Sequence, residues 1–153
     1  MNKTRERYVI DLTYLPIEII QGIDYNYIFN IIGLFSKFIM TYKLTNKKSE
    51  TIVSKLKLCF DKYGISEQLY CDNGTEFINK KVQNLLDKEN IVLIKGMPYN
   101  PYSQGVVERA HRIVRNSLIC EYLEDISSFN IENSLKKVIN LYNNTVHLTN
   151  KNL

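Results

Sequence analysis

The chain has 153 residues, of which 44% are hydrophobic and 24% are charged. This composition is typical of a soluble globular protein and excludes a disordered or disulfide-scaffolded chain, so we expect one domain over residues 1–153. Twenty Lys and Arg against sixteen Asp and Glu give a formal charge of +4. That charge is compatible with a polyanionic partner and equally with a mildly basic surface that has none.

Three other kinds of protein are excluded by local features. Cys59, Cys71 and Cys120 show no CxxC spacing, which predicts small core residues in a reducing compartment. Two widely separated histidines, His111 and His147, cannot build a zinc finger. A polar, charged N-terminus and the lack of a long apolar stretch predict a protein that is neither secreted nor inserted in a membrane.

Apolar runs and helical periodicity predict nine elements in chain order. Strands are expected at 8–12, 27–34 and 38–44, then a helix with Ser49 as its N-cap, an apolar stripe from Ile52 to Tyr63 and Gly64 as its stop. A strand at 68–71, a helix over 79–89 and a strand at 91–94 follow. An irregular, repositionable loop at 98–103, with Gly105 after it, precedes a helix striped by Val107 to Leu118, and a last helix is striped over 131–142.

This order predicts an α/β fold. Three consecutive strands followed by alternating helices and strands indicate a mixed sheet with helices on both faces.

Three acids stand out by their positions. Asp11 lies inside an apolar strand, Asp72 ends a strand where a turn begins, and Glu108 lies in the first turn of the predicted helix. Each also has an ordinary explanation: a solvent-facing strand acid, a turn former, and a partner of a helix dipole. Clustered carboxylates are, however, what hard cations such as Mg²⁺ require for phosphodiester chemistry.

The sequence around these acids resembles the DDE integrases and transposases. Thirty-five residues separate Asp72 from Glu108, the spacing that names the D,D-35-E motif of retroviral integrase catalytic cores. The segments IDLT around Asp11, CDNGTEF around Asp72 and YNPYSQGVVER around Glu108 are similar to the three family motifs, and YNNTVH at 142–147 is similar to the closing helix. The resemblance runs from residue 8 to the C-terminus and leaves open a retrotransposon, a Maverick-type element or a retrovirus.

The resemblance implies a ribonuclease H-like fold, with a five-stranded mixed sheet of three antiparallel strands and then two parallel ones, flanked by helices on both faces. It implies a metal-dependent polynucleotidyl transferase that performs 3′-end processing and DNA strand transfer. Asp11, Asp72 and Glu108 would be both the catalytic residues and the ligands of two Mg²⁺ or Mn²⁺ ions. DNA would be the partner, a homodimer or higher oligomer the assembly, and the nucleus of a eukaryotic host, or otherwise the cytoplasm, the location.

The family also implies residues that contact DNA near the scissile bond. The matching positions here are Asn73, Tyr99, Asn100, Ser103 and Gln104.

A cluster of arginines next to Glu108 indicates that this helix binds the phosphate backbone of DNA. Three of the five arginines fall within seven residues, and Arg112 and Arg115 share the helix face of Glu108. These two arginines are therefore also predicted to bind DNA. A solvated amphipathic face is the alternative explanation.

One position departs from the family pattern. Gly33 stands where related integrases commonly carry an aspartate, which bears on the regularity of that strand. The zinc-binding and basic flanking domains of full-length integrases have no counterpart in these residues, so we expect a core fragment. A ribonuclease H-like nuclease and a domesticated, inactive DNA-binding or dimerisation module remain as alternatives.

Overall fold

A computed structural model describes residues 7–14, 27–72, 74–96 and 101–151, with the backbone alone for 101–103 and 146–151. The elements are, in chain order, β1 (Tyr8–Tyr14), β2 (Tyr27–Gly33), β3 (Ile39–Leu44), α1 (Ser49–Tyr63), β4 (Gln68–Cys71), α2 (Lys80–Lys88), β5 (Val92–Lys95), α3 (Pro101–Glu124) and α4 (Ile131–Lys151). Their order and types are those predicted from the sequence.

The five strands form one mixed sheet in the order β3-β2-β1-β4-β5. The β1–β2 and β2–β3 pairs are antiparallel, whereas β1–β4 and β4–β5 are parallel. The apolar runs of the sequence explain this arrangement, because central strands with helices on both faces must be apolar on both sides. The predicted fold class is therefore confirmed.

Two hydrophobic clusters lie on opposite faces of the sheet. Alternation along β1 divides its residues, so that Tyr8 and Ile10 enter one cluster and Val9 the other. The first cluster contains α1 and α2 residues such as Leu56 and Val82, and the second contains α3 and α4 residues such as Val107 and Leu135. Asp11 follows the parity of Val9, so it faces the α3 side.

Helix α3 begins earlier than the sequence predicted. The irregular loop was expected to reach residue 103, but the helix starts at Pro101 and takes in Gly105. Proline suits the first turn of a helix, because its missing N–H has no intrahelical partner there. Glu108 consequently lies well inside the helix and not in its first turn, which removes the helix-dipole explanation for it.

Two smaller expectations were also wrong. Ser49 is the first helical residue and not the N-cap of α1; Lys48 occupies the cap position without a side-chain cap hydrogen bond, and Asn46 Oδ1 accepts from the Lys48 N–H instead. Cys59 and Cys71 are buried as predicted, but Cys120 is exposed because it lies on the outer face of α3.

The side chain of Asn143 links helix α4 to the outer edge of the sheet. Asn143 Oδ1 accepts from the Ile39 N–H at 3.0 Å, and Asn143 Nδ2 donates to the Ile39 carbonyl at 2.9 Å. Because β3 is an edge strand, this amide satisfies a donor and an acceptor that a further strand would use. Within the described ranges, no helix has the length and apolarity needed to cross a membrane.

Candidate active site

Two of the predicted acids come to matching positions of neighbouring parallel strands: Asp11 lies in the middle of β1, and Asp72 directly follows β4. In the β1–β4 ladder, Tyr8 pairs with Leu69 and Val9 pairs with Tyr70. Continuing this register by two residues places Asp11 opposite Asp72, the residue that follows β4. Asp11 also faces Asn30 across the antiparallel β1–β2 pair. The fold therefore brings together two carboxylates that are distant in the chain, at the point where the sheet changes from antiparallel to parallel.

Asp11 is partly buried and surrounded by ionisable groups. Its side chain is 34% exposed, and its Oδ1 accepts a 2.8 Å hydrogen bond from the Leu12 N–H. Burial raises the pKa of Asp11 above its usual value, and the negative charges of Asp72 and Glu76 act in the same direction. His111 and the Leu12 amide oppose this rise in the pKa. Removing negative charge from this carboxylate, by a proton or a cation, is therefore favoured.

The loop after Asp72 is held by its own residues. Asp72 Oδ1 accepts from the Gly74 N–H at 2.9 Å, and the Gly74 carbonyl accepts from the N–H groups of Phe77 and Ile78. Phe77 is fully buried, with its ring centroid 6.0 Å from that of Phe29. A Cβ at Gly74 would stand 2.7 Å from the Glu76 carboxylate, so a glycine allows Glu76 to fold back over the turn. These contacts explain why the DNGTEF segment has a glycine at position 74 and a phenylalanine at position 77.

Glu108 does not join the two aspartates in this conformation. It lies exposed on α3, whereas Val107 and Ala110 of the same helix are buried against the sheet. In the described part of the chain, no three His, Cys, Asp or Glu side chains are grouped so that they could hold a metal ion. The grouping of all three predicted acids therefore stays a prediction.

His111 occupies the position beside Asp11 that sequence reasoning left out. Its Nε2 lies 3.4 Å from Asp11 Oδ2, but the geometry is not that of a hydrogen bond. The same Nε2 is shielded from solvent and has no hydrogen-bond partner among the described residues. The one available signal was its spacing, because His111 lies one turn after Glu108 and so on the same helix face.

Asn30 is a second residue that the sequence did not single out. It is 3% exposed, and its Nδ2 donates to Thr13 Oγ1 at 2.7 Å. Because Asn30 pairs directly with Asp11 and a buried amide requires a partner, this bond fixes the strand end that carries Asp11. An isolated asparagine in an apolar run gave no reason to expect this role.

Two predicted DNA-contacting residues line a cleft next to Asp11. Arg112 and Arg115 are both exposed on α3, and together with His111 they border an open cleft of about 680 Å³ against Thr13 and Tyr14 at the end of β1. The cleft thus combines two guanidinium groups with the edge of the acidic site. That arrangement suits a phosphate chain passing the carboxylates.

The remaining predicted DNA contacts are less well described. Asn73, Tyr99 and Asn100 lie outside the described residues, and for Ser103 only the helical backbone is described. Gln104 is exposed in the first turn of α3. Its role, like those of the others, stays a prediction.

The fold and these motifs correspond to a known family. Residues 2–101 match the integrase core domain. The chain belongs to the integrase core domain family. As an integrase core, it is 36% identical over 87 residues, 57% of the chain, to the Gag-Pro-Pol polyprotein of squirrel monkey retrovirus. It is 32% identical over 109 residues, 71% of the chain, to that of sheep pulmonary adenomatosis virus. The chain spans only 5% and 6% of these two polyproteins.

Solved integrase cores have the same fold. The catalytic core domain of BIV integrase superposes with a TM-score of 0.71 at 25% identity, covering 89% of this chain and 82% of that one. The HTLV-2 integrase catalytic core domain in complex with magnesium gives a TM-score of 0.70 at 18% identity, covering 88% and 82%. The second likeness concerns the fold alone, which is the ribonuclease H-like fold predicted from the sequence.

The donor groups of this integrase core fit a hard divalent cation in part. Asp11 and Asp72 supply carboxylate oxygens, the ligands that Mg²⁺ and Mn²⁺ prefer. Burial is the main cause of the raised pKa of Asp11 and the neighbouring carboxylates add to it, so a cation there would relieve their repulsion. Asp11 and Asp72 therefore fit such an ion, and Glu108 would complete the set only after a change in the position of α3 or of its own side chain.

Proposed function

We propose that this chain is the single-domain catalytic core of a DNA integrase, a polynucleotidyl transferase that processes 3′ ends and joins them to target DNA. Asp11, Asp72 and Glu108 are its catalytic carboxylates. The observation that supports the proposal is the parallel register of β1 and β4, which continues to Asp11 opposite Asp72, in a chain that matches the integrase core domain.

The proposed reaction exchanges one phosphodiester bond for another. A water or a 3′-hydroxyl attacks the phosphorus, its oxygen loses a proton and forms a new P–O bond, and the P–O3′ bond of the cleaved strand breaks. The departing oxygen takes up a proton, so the cleaved strand is left with a 3′-hydroxyl. Two bound Mg²⁺ or Mn²⁺ ions would activate the attacking oxygen and stabilise the leaving one. Asp11 and Asp72 would hold them, fixed in place by the Leu12 and Gly74 amides. No residue needs to bond covalently to DNA.

DNA binding follows from the charges around the acids. Arg112 and Arg115 would hold the phosphate backbone in the cleft beside Asp11, with Asn73, Tyr99, Asn100, Ser103 and Gln104 as further contacts near the scissile bond. The net charge of +4 predicts weak, salt-sensitive binding with little sequence preference. An assembly of two or more copies is expected, since HTLV-2 integrase cores are known in dimeric and trimeric forms. The nucleus of a eukaryotic host is the expected location, because the target DNA lies there.

The test is DNA joining by the whole chain on a branched substrate whose transferred end is already in place, so that only the chemical step is required. Asp11→Asn, Asp72→Asn and Glu108→Gln should each lower the rate by at least about 100-fold with Mg²⁺ or Mn²⁺. Glu67→Gln is the matched control, because Glu67 is exposed just before β4, at the opposite end of that strand from Asp72. DNA binding without any joining by the unmodified chain would instead support an inactive DNA-binding module.

A further inference from the structure

An exposed tyrosine ring is held in place at the end of β1, three residues after Asp11. Tyr14 is 63% exposed, so its ring is not part of the core. It pairs across the sheet with Tyr27, whose ring centroid lies 5.2 Å away at an interplanar angle of 72°. Its hydroxyl accepts a 2.8 Å hydrogen bond from Lys47 Nζ, which also lies 5.5 Å from the Tyr27 centroid. These contacts fix a side chain that burial does not fix.

The contacts of Tyr14 leave a face of its ring uncovered. Lys47 Nζ lies 2.8 Å from the hydroxyl but 5.2 Å from the ring centroid, so the ammonium is beyond the hydroxyl and near the edge of the ring. An edge-to-face contact with Tyr27 can cover only one of the two faces. The large exposed fraction of Tyr14 agrees with a free face. A flat aromatic surface of this kind is what a nucleobase stacks on.

Cations that suit DNA phosphates surround this ring. Tyr14 borders the open cleft that Arg112 and Arg115 line, and Lys47 adds a third cation at the tyrosine hydroxyl. Proteins that hold single-stranded nucleic acid combine basic side chains along the backbone with aromatic rings under the bases. Inside a duplex, neighbouring base pairs cover both faces of a base, so a base must leave the stack before it can reach such a ring.

We propose that Tyr14, held by Lys47 and Tyr27, is a stacking platform for an unpaired nucleobase beside the acidic site, so that this core prefers DNA that carries a single-stranded extension. The inference rests on the proposed function, because it assigns one part of the DNA substrate to the cleft. Three strand residues span about 10 Å, the length of about three stacked nucleotides. The ring is therefore within reach of a strand whose phosphate lies at Asp11.

The experiment measures, by fluorescence anisotropy in a chelator, how the whole chain binds two labelled DNAs. One is a blunt duplex, and the other is the same duplex with a single-stranded extension of about four nucleotides. Tyr14→Ala should raise the Kd for the extended duplex at least about tenfold and that for the blunt duplex less than about threefold, because stacking on one base is lost. Tyr14→Phe keeps the ring and should keep the preference for the extension.

Tyr63→Ala is the matched control. Tyr63 is 41% exposed and Lys62 Nζ lies 5.2 Å from its ring centroid, the same distance as in the Tyr14 pair. It ends α1 next to Gly64, whose carbonyl accepts from the Tyr8 hydroxyl at the opposite end of β1 from Tyr14. Tyr63→Ala should therefore leave both Kd values unchanged. If Tyr14→Ala melts early, Tyr14→Thr, which suits a strand better, repeats the test.

A fluorescent base in the extension reports the stacking itself. The emission of 2-aminopurine, an adenine analogue, falls when the base stacks on an aromatic ring. At saturating protein, the unmodified chain and Tyr14→Phe should lower this emission, whereas Tyr14→Ala should lower it much less. A tyrosine that only stabilised the strand end would not change the emission of the bound DNA in this way.

Two results would overturn the inference. Equal weakening of both DNAs by Tyr14→Ala would make Tyr14 a general support of the DNA surface, and no change in either Kd would remove it from that surface. Both results are compatible with DNA joining by the three carboxylates, so they leave the proposed function standing. If the unmodified chain bound neither DNA, the inference and the proposed function would both be wrong.

Discussion

Asp11 is the least solvent-exposed of the three predicted acids. Burial is the main cause of the raised pKa of its carboxyl; the charges of Asp72 and Glu76 add to the rise, and His111 opposes it. Charged side chains from two other parts of the fold therefore act on Asp11 of β1: Asp72 and Glu76 from the segment after β4, and His111 from α3. A single strand acid can be found from its apolar neighbours in the sequence, but the charges that surround it cannot.

The raised pKa predicts that Asp11→Asn stabilises the cation-free protein. Because the folded pKa lies above the unfolded one, the folded chain binds more protons between the two values, and its stability falls as the pH rises through that interval. Above the interval the penalty is constant, and Asp11→Asn removes it. The gain in the free energy of unfolding should be below about 1 kcal/mol, since the side chain is one-third exposed and solvent-screened.

Thermal melts in a chelator from about pH 4 to pH 7 measure this gain. Asp11→Asn should melt above the unmodified chain at the upper end of the range, and the difference should shrink towards the lower end. Glu67→Gln, which removes an exposed charge, should show no such trend. A lower melting temperature for Asp11→Asn at pH 7, about the usual working pH, would contradict the destabilisation by burial and repulsion inferred for the Asp11 carboxylate.

At the scale of elements, helix α3 contributes residues to the site on the face of the sheet where Asp11 lies. It starts at Pro101, carries Glu108 and His111, and packs Val107 and Ala110 against the sheet. Its stripe of apolar residues was readable in the sequence, but its first residue was not. Pro101 and Gly105 indicate a loop locally, but the helix begins at the first and includes the second, with Val106 and Val107 buried.

Gly105 gives a direct test of that helical start. Its backbone is not in the left-handed region, and a Cβ there would meet nothing within 4 Å. Gly105→Ala should therefore raise the free energy of unfolding by about 0.5–1 kcal/mol. Gly96→Ala is the contrasting control, because Gly96 has equal space but a φ of +108°, and it should destabilise. Urea unfolding of both variants measures the difference; destabilisation by Gly105→Ala would indicate a loop at this position.

Asn143 provides the second test at this scale. Its amide makes both hydrogen bonds to Ile39 that attach α4 to β3. Asn143→Ala should lower the free energy of unfolding by about 1–3 kcal/mol, since two bonds are lost and two backbone groups lose their partners. Asn144→Ala, at the neighbouring exposed position, should change it by less than about 0.5 kcal/mol. Equal effects of the two substitutions in urea unfolding would show that the amide does not hold the helix.

For the molecule as a whole, the distribution of charge matters more than its sum. The net charge is only +4, but Arg112 and Arg115 are concentrated beside the acidic site on the α3 face. On the other face, exposed lysines such as Lys57 and Lys88 lie on α1 and α2. If the phosphates of DNA lie along the cleft, replacing the arginines should weaken DNA binding, whereas replacing these lysines should not.

Arg112→Ala with Arg115→Ala should weaken DNA binding and lower the slope of log K against log salt concentration by about 2, since each phosphate contact contributes about 0.9. The control is Lys57→Ala with Lys88→Ala, which removes the same charge from the opposite face of the sheet. Fluorescence anisotropy over a salt titration measures both slopes. Equal losses in the two double variants would mean that DNA responds to net charge and not to the cleft.

Much of the fold was determined by the sequence itself. Alternating and helical apolar patterns are local, so they predicted all nine elements in order, and the mixed sheet followed from that order. The positions of Asp11, Asp72 and Glu108 were likewise readable, because their spacing and neighbouring residues lie along the chain. The buried state of Cys59 and Cys71 follows from the same local patterns.

Only the tertiary structure decided which groups meet. His111 reaches Asp11 because α3 packs on the face of the sheet that carries Val9, a contact between residues one hundred positions apart that no local pattern encodes. Asn30 became part of the site through its cross-strand pairing with Asp11, and Cys120 became exposed because its face of α3 points away from the sheet. Packing, register and helix rotation set these contacts, and each depends on the whole chain being folded.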